Sequence, residues 1–195
     1  MPPPTAVRRA ASPEARRALV ALLAALPPFR GLPRADLASL AGEMRARRLA
    51  SGSVVFRQHA AAREFCLLAE GRLALGLEGA DPDAPPLGVL EAPSCFGELA
   101  LLTGRPRSAT VTAASPALIW SLPRRRFDRL CGEHPRVLRN LLRALAERIQ
   151  QKDHDFLGQS GLAAERGRLL RENARLYAEV RDKAAQLELA SRHKS

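Results

Sequence analysis

The chain has 195 residues, a hydrophobic fraction of 46% and a net charge of +11 carried almost entirely by arginine, with lysine only at 152, 183 and 194. That apolar content excludes a wholly unstructured polypeptide and leaves room for one packed domain with an appendage. The positive charge raises nucleic acid as a partner, but it is spread over two flanks of a slightly acidic middle, which argues against a dedicated nucleic-acid surface.

Residues 1–12, rich in Pro, Ala and Arg, read as a disordered N-terminal segment and lack the uninterrupted apolar core of a secretory signal. An N-terminal helix is expected over 13–28: Ser12 stands at the cap, Pro13 opens the first turn, Leu19, Leu22, Leu23 and Leu26 recur at helical spacing, and Pro27-Pro28 ends it. A second short helix follows Pro33, with Leu37, Leu40 and Met44 on one side. From about 48 to 122 the apolar runs shorten to three to five residues, such as Val54-Val55-Phe56, Phe65-Cys66-Leu67-Leu68 and Leu118-Ile119-Trp120. Gly, Pro, Asp and Ser separate them at intervals of about 8–12 residues, the texture of a β-barrel or sandwich. Helical spacing returns after Pro123, first around Phe127, Leu130 and Cys131, then in a longer helix from Pro135 that carries Val137, Leu138, Leu141, Leu142, Leu145 and Ile149.

Gly158–Gly161 interrupts that helix, and residues 158–195 read as a linker and a coiled-coil helix. Leu162, Leu169 and Leu176 repeat every seven residues, and Asn173 falls on the alternate seam position, where a buried Asn sets the register of a parallel homodimer. No apolar stretch reaches membrane-spanning length. Cys66, Cys95 and Cys131 are odd in number and widely spaced, so they suggest neither a disulfide framework nor a metal site, and a reducing cytoplasm fits.

The run that carries chemistry is Phe96-Gly97-Glu98-Leu99-Ala100-Leu101-Leu102-Thr103-Gly104-Arg105-Pro106-Arg107-Ser108-Ala109-Thr110-Val111. A helical turn from Glu98 to Leu102 stands where a simple hairpin would join two strands, and such an insertion aims backbone amides at an anion. Gly97 lets a ligand approach the backbone. Arg107 offers a planar fork suited to phosphate, and Glu98, acceptor-only when ionised, suits sugar hydroxyls.

This run resembles the phosphate-binding cassette of the cyclic-nucleotide-binding superfamily, which includes the catabolite activator proteins and the regulatory subunits of cAMP-dependent kinase. The likeness extends over about 29–153, within an expected domain of 29–157, with Phe29-Arg30-Gly31-Leu32 similar to the opening turn and Glu70-Gly71-Arg72-Leu73 similar to the central hairpin. It implies a mainly β fold with flanking α-helices, a double-stranded β-helix or jelly-roll barrel, followed by a long C-terminal helix or coiled coil. It further implies that Glu98 accepts from a ribose 2′-OH and Arg107 pairs the cyclic phosphate. Phe96, Gly97, Leu99, Ser108 and Ala109 complete the cradle. The purine would be met by the helix after the barrel, at Lys152 and Asp153, where relatives often carry hydroxyl residues; the choice between cAMP and cGMP therefore stays open, with cAMP favoured. His59 and Ser94, both read as turn positions, replace glycines common in the family.

Residues 173–195 resemble the signalling helix that precedes the catalytic core of sensor histidine kinases, with His193 part of the linker pattern and not a phosphoacceptor. The chain lacks a Walker loop, a nucleophile elbow and a dinucleotide fingerprint, so a sensor module is expected, not an enzyme. No metal or cofactor is called for. Expected partners are a cyclic nucleotide, a second copy through the tail, and a downstream kinase or other output domain. Two alternatives remain: a structural dimerisation module that has lost its ligand, and a shortened transcription regulator of the catabolite activator type.

Overall fold

The computed structural model describes residues 7–9, 12–79, 85–156, 172–176 and 178. Helix α1 (Pro13–Ala25) starts where the sequence places it: Ser12 Oγ accepts from the Ala15 amide at 3.1 Å. It ends at Ala25, short of the expected residue 28, because Leu26 is extended and Pro27–Phe29 tighten into a 3-10 turn. Helix α2 spans Arg34–Glu43 and lays Leu37 and Leu40 on the same apolar cluster as Leu19 and Leu23 of α1.

The strands follow: β2 (Arg45–Leu49), β3 (Val54–Phe56), β4 (Glu64–Glu70), β5 (Arg72–Gly76), β6 (Gly88–Glu91) and β7 (Ser94–Phe96). After helix α3 (Glu98–Thr103) come β8 (Thr110–Ala113) and β9 (Ala117–Pro123), then α4 (Arg124–Glu133) and α5 (Pro135–Phe156). Residues 7–9, expected to be disordered, form strand β1 (Val7–Arg9), paired antiparallel with β2. That pairing supplies partners to the backbone groups of an otherwise open sheet edge, a gain that three residues of local sequence do not advertise.

Every strand pair is antiparallel, in two sheets ordered β1-β2-β9-β4-β7 and β3-β8-β5-β6. Among the described residues no pairing joins the two sheets, so the expected jelly roll is an open two-sheet sandwich and not a closed barrel. The first sheet is the middle of three layers. Along β4, Phe65 and Leu67 face the helices while Cys66 and Leu68 face the second sheet. Along β9, Trp120 and Leu122 point to the helical side, and Ala117 and Ile119 to the other. Double-sided burial explains why these strands read as continuous apolar runs without alternation.

Phe65 also ties three segments together. It stacks on Phe127 of α4, with ring centroids 5.1 Å apart, and meets Phe29 of the 3-10 turn edge to face at 6.1 Å. Helix α5 docks on the same turn, where Asn140 Nδ2 donates to the carbonyls of Pro28 and Arg30 at 3.4 and 3.3 Å. Cys66 and Cys95 are buried free thiols, and burial pushes both up. No helix among the described residues is long and apolar enough to cross a membrane. The Gly158–Gly161 break and the leucines at 162 and 169 lie outside the described residues, as does the kinase-like tail apart from 173–176 and 178.

Candidate functional site

Between β7 and β8 the chain makes α3 and a return loop in place of a tight hairpin, and two glycines bracket the helix. Gly97 (φ 78°) precedes it and Gly104 (φ 72°) follows it, both in the left-handed region that favours glycine. Gly97 has a second reason to lack a side chain: a Cβ there would stand 2.6 Å from Arg107 Nη1. The two charged residues of this segment are buried, with Glu98 and Arg107 each only 3% exposed. Unpaired burial of either charge is expensive, so their partners define the site.

Backbone carbonyls hold both terminal nitrogens of Arg107. Its Nη1 donates to the Gly97 carbonyl and its Nη2 to the Glu64 carbonyl, each at 2.6 Å. Its guanidinium lies 4.0 Å above the Phe56 ring, a cation–π contact. Its own amide donates to the Ala60 carbonyl and its carbonyl accepts from the His59 amide, at 2.9 and 2.8 Å. His59 reaches this position with φ 64°, in the left-handed region, which agrees with its reading from the sequence as a turn position. Ser94, by contrast, is the first residue of β7 and not part of a turn. Burial lowers the proton affinity of Arg107, opposed by Cys66, Glu64 and Glu98 nearby.

Glu98 is less well served. Oε1 accepts from Arg148 Nη1 at 3.4 Å, and Arg148 Nη2 reaches the Cys95 carbonyl at 3.0 Å. Glu98 Oε2 and Arg107 Nε are buried with no hydrogen-bond partner among the described residues. Burial therefore raises the Glu98 carboxyl above the ordinary carboxylate range, and Arg148, the Glu98 backbone and Arg107 pull it only part of the way back.

These groups surround a cavity of about 150 Å³. All seven residues singled out from the sequence (Phe96, Gly97, Glu98, Leu99, Arg107, Ser108 and Ala109) line it. Lys152 and Asp153 lie on α5, and their side chains are outside the described residues. Among the described residues α5 contributes Leu145 and Arg148 to the wall, and Asn173 joins them from the tail. Phe56, Leu75, Leu90 and Val111 supply an apolar side. Local reading of the motif could not reach Phe56 or Asn173. Arg148 did leave a signal: it stands at i+7 and i+3 from the buried Leu141 and Leu145, an arginine on an apolar stripe. A larger groove of about 890 Å³ between α1 and α2 offers no comparable chemistry, since the arginines along it are exposed.

The sequence of residues 46–134 matches the family model of the cyclic nucleotide-binding domain. The chain carries a cyclic nucleotide-binding domain. Two curated relatives are similar to it: a cyclic nucleotide-gated potassium channel of Rhizobium etli, 34% identical over 65% of this chain and 34% of the channel, and a cAMP-dependent protein kinase regulatory subunit of Dictyostelium discoideum, 34% identical over 57% of this chain and 35% of the subunit. Among solved structures, a cAMP-binding acyltransferase from Mycobacterium smegmatis superposes with a TM-score of 0.53 at 34% identity, covering 72% of this chain and 43% of that protein. The chain thus spans about a third of the length of the curated relatives it matches. In these proteins the domain accompanies a channel, a kinase subunit and an acyltransferase, so it is a regulatory unit that outputs of different kinds share.

Proposed function

We propose that the chain binds a 3′,5′-cyclic nucleotide, cAMP in preference to cGMP, and relays its presence to an attached output. The observation that carries this reading is the buried pair, Glu98 and Arg107, each with a polar atom left without a partner beside one cavity. A cyclic phosphate brings one negative charge to Arg107, Ser108 and Ala109, and the free 2′-OH brings a hydrogen-bond donor to Glu98. No proton or bond has to move, which makes this a binding site and not a catalytic one.

The cavity is smaller than the roughly 300–1,000 Å³ typical of ligand pockets. Ligand entry therefore has to displace a wall, and Arg148 is the group in the way, since it sits on Glu98 Oε1 beside the free Oε2 that the ribose would approach. Replacing that contact re-docks α5, and α5 leads toward the tail. A paired tail, acting as the signalling helix of a cytoplasmic kinase or similar output, would read the shift. A coupling of about 1–3 kcal/mol between ligand and helix position is enough for a five- to 150-fold response.

Titration calorimetry with cAMP and cGMP tests the reading. Binding of at least one nucleotide is expected, and Arg107→Ala is expected to weaken it by about 2–5 kcal/mol, the cost of orphaning a buried charged partner. No heat and no thermal shift at millimolar nucleotide, or an Arg107→Ala protein that binds as well as the parent, would overturn it.

A further inference from the structure

Helix α1 has more apolar surface than its core contacts use. Every residue from 18 to 26 is apolar, so the second half of the helix has no polar face. A helix that is apolar all round is normally buried all round. Here Leu19 and Leu23 enter the core and Val20 and Leu22 pack half-buried against it, while Ala18, Ala21, Ala24 and Ala25 stay exposed.

Part of that uncovered side is a groove. Arg16, near the start of α1, donates from Nη2 to the Ala38 carbonyl at 3.1 Å and lies against Gly42, so the start of α1 is beside the end of α2 and the two helices run antiparallel. The groove between them holds about 890 Å³. Val20, Ala21 and Ala24 of α1 form an apolar floor with Leu32 and Leu37, and the charged groups of the lining are Arg16, Arg17 and Arg34. Antiparallel packing puts Arg16 and Arg17 toward one end of the groove and Arg34, the first residue of α2, toward the other. No acidic residue lines it, and Asp36 in the first turn of α2 is engaged with His134 at 3.5 Å. Arg17 and Arg34 are exposed and have no ion pair among the described residues.

This combination selects its occupant. An apolar trough between two helices accepts a third helix by a stripe of apolar residues at i, i+3/i+4 and i+7. Cations toward both ends accept carboxylates that flank such a stripe. Nucleic acid would meet the arginines but leave the apolar floor unmatched. A second copy of the chain brings the same net charge of +11, and residues 160–195 hold eight basic against five acidic residues, so neither supplies the complement. We propose that the groove between α1 and α2 is a docking surface for an acidic amphipathic helix of a partner polypeptide. It shares no residue with the cavity of Glu98 and Arg107, so the proposal stands apart from the cyclic-nucleotide reading.

The experiment is selection against the full chain from displayed peptides of about 15 residues, roughly four helical turns, with leucine fixed at i, i+4, i+7 and i+11 and Glu, Lys, Ser or Ala elsewhere. Selected peptides are expected to carry glutamate beside the leucine stripe and to bind more weakly as salt rises. Arg17→Glu combined with Arg34→Glu is expected to weaken the best acidic peptide on the order of tenfold, with the melting temperature kept because both side chains are exposed. The same peptide with lysine in place of its glutamates is expected to bind that variant better than the parent, an outcome that damage to the fold cannot produce. Selected peptides without an acidic preference, equal binding to the charge-reversed variant, or no selection at all would overturn the proposal. So would capture of phosphatidylglycerol vesicles in place of every peptide, which assigns the groove to a lipid surface. Displacement of the acidic peptide by a peptide of residues 160–195 would overturn it in favour of the chain's own C-terminal stretch.

Discussion

Glu98 is a carboxylate almost wholly withdrawn from solvent, and that placement makes the ligand-free fold sensitive to pH. Its folded carboxyl holds a proton to higher pH than the unfolded one, because desolvation outweighs the pull of Arg148 and Arg107. Folding then takes up a proton between those two values, so stability falls as pH rises through that window. Below the ordinary carboxylate range both states are protonated and the penalty is absent; above the raised value it is present in full. Glu98→Gln keeps the shape and removes the charge, and Arg148, a third exposed, remains solvated. The variant is expected to melt higher than the parent at neutral pH, with the difference closing as pH falls into the ordinary carboxylate range. Scanning calorimetry across pH checks this, and a constant difference would place the penalty elsewhere. The sequence made Glu98 and Arg107 legible because they share one local motif. Phe56 was not, because it arrives at the cavity from a distant strand, and Arg148 showed only as an arginine on the apolar stripe of a distant helix.

At the scale of elements, α1 and α3 could be read from their punctuation. Ser12 and Pro13 start the first, and Gly97 and Gly104 bracket the second. The three-residue β1 could not, since its stability comes from pairing with β2 and not from its own pattern. The layer order was also hidden: a continuous apolar run such as Phe65-Cys66-Leu67-Leu68 announces burial but not which neighbour covers each face. Phe65 is where that ambiguity resolves, because it stacks on α4 and meets, edge to face, the 3-10 turn that receives α5. Phe65→Ala is expected to cost about 3–5 kcal/mol in urea denaturation, the range for removing a fully buried aromatic ring. A loss below about 1 kcal/mol would show that the helical layer is not anchored through this ring.

Over the whole molecule the net charge of +11 has no single seat. Along α5, Arg136, Arg139 and Arg143 are exposed and solvated, while Arg107 spends its charge inside. The middle sheet has a consequence for how the molecule opens. β4 and β9 lend one face to each of two apolar clusters, so neither cluster can come apart while the other stays whole. The amides of 65–68 and 118–122 should therefore exchange with deuterium only through complete unfolding, and their protection should equal the global stability. Faster exchange in either stretch, at a free energy clearly below the global value, would mean that the layers breathe separately. Arg107 is fastened to the Glu64 carbonyl at the start of β4. Whatever Arg107 binds is thereby tethered to the last part of the protein to let go, so ligand can come and go many times between one global opening and the next.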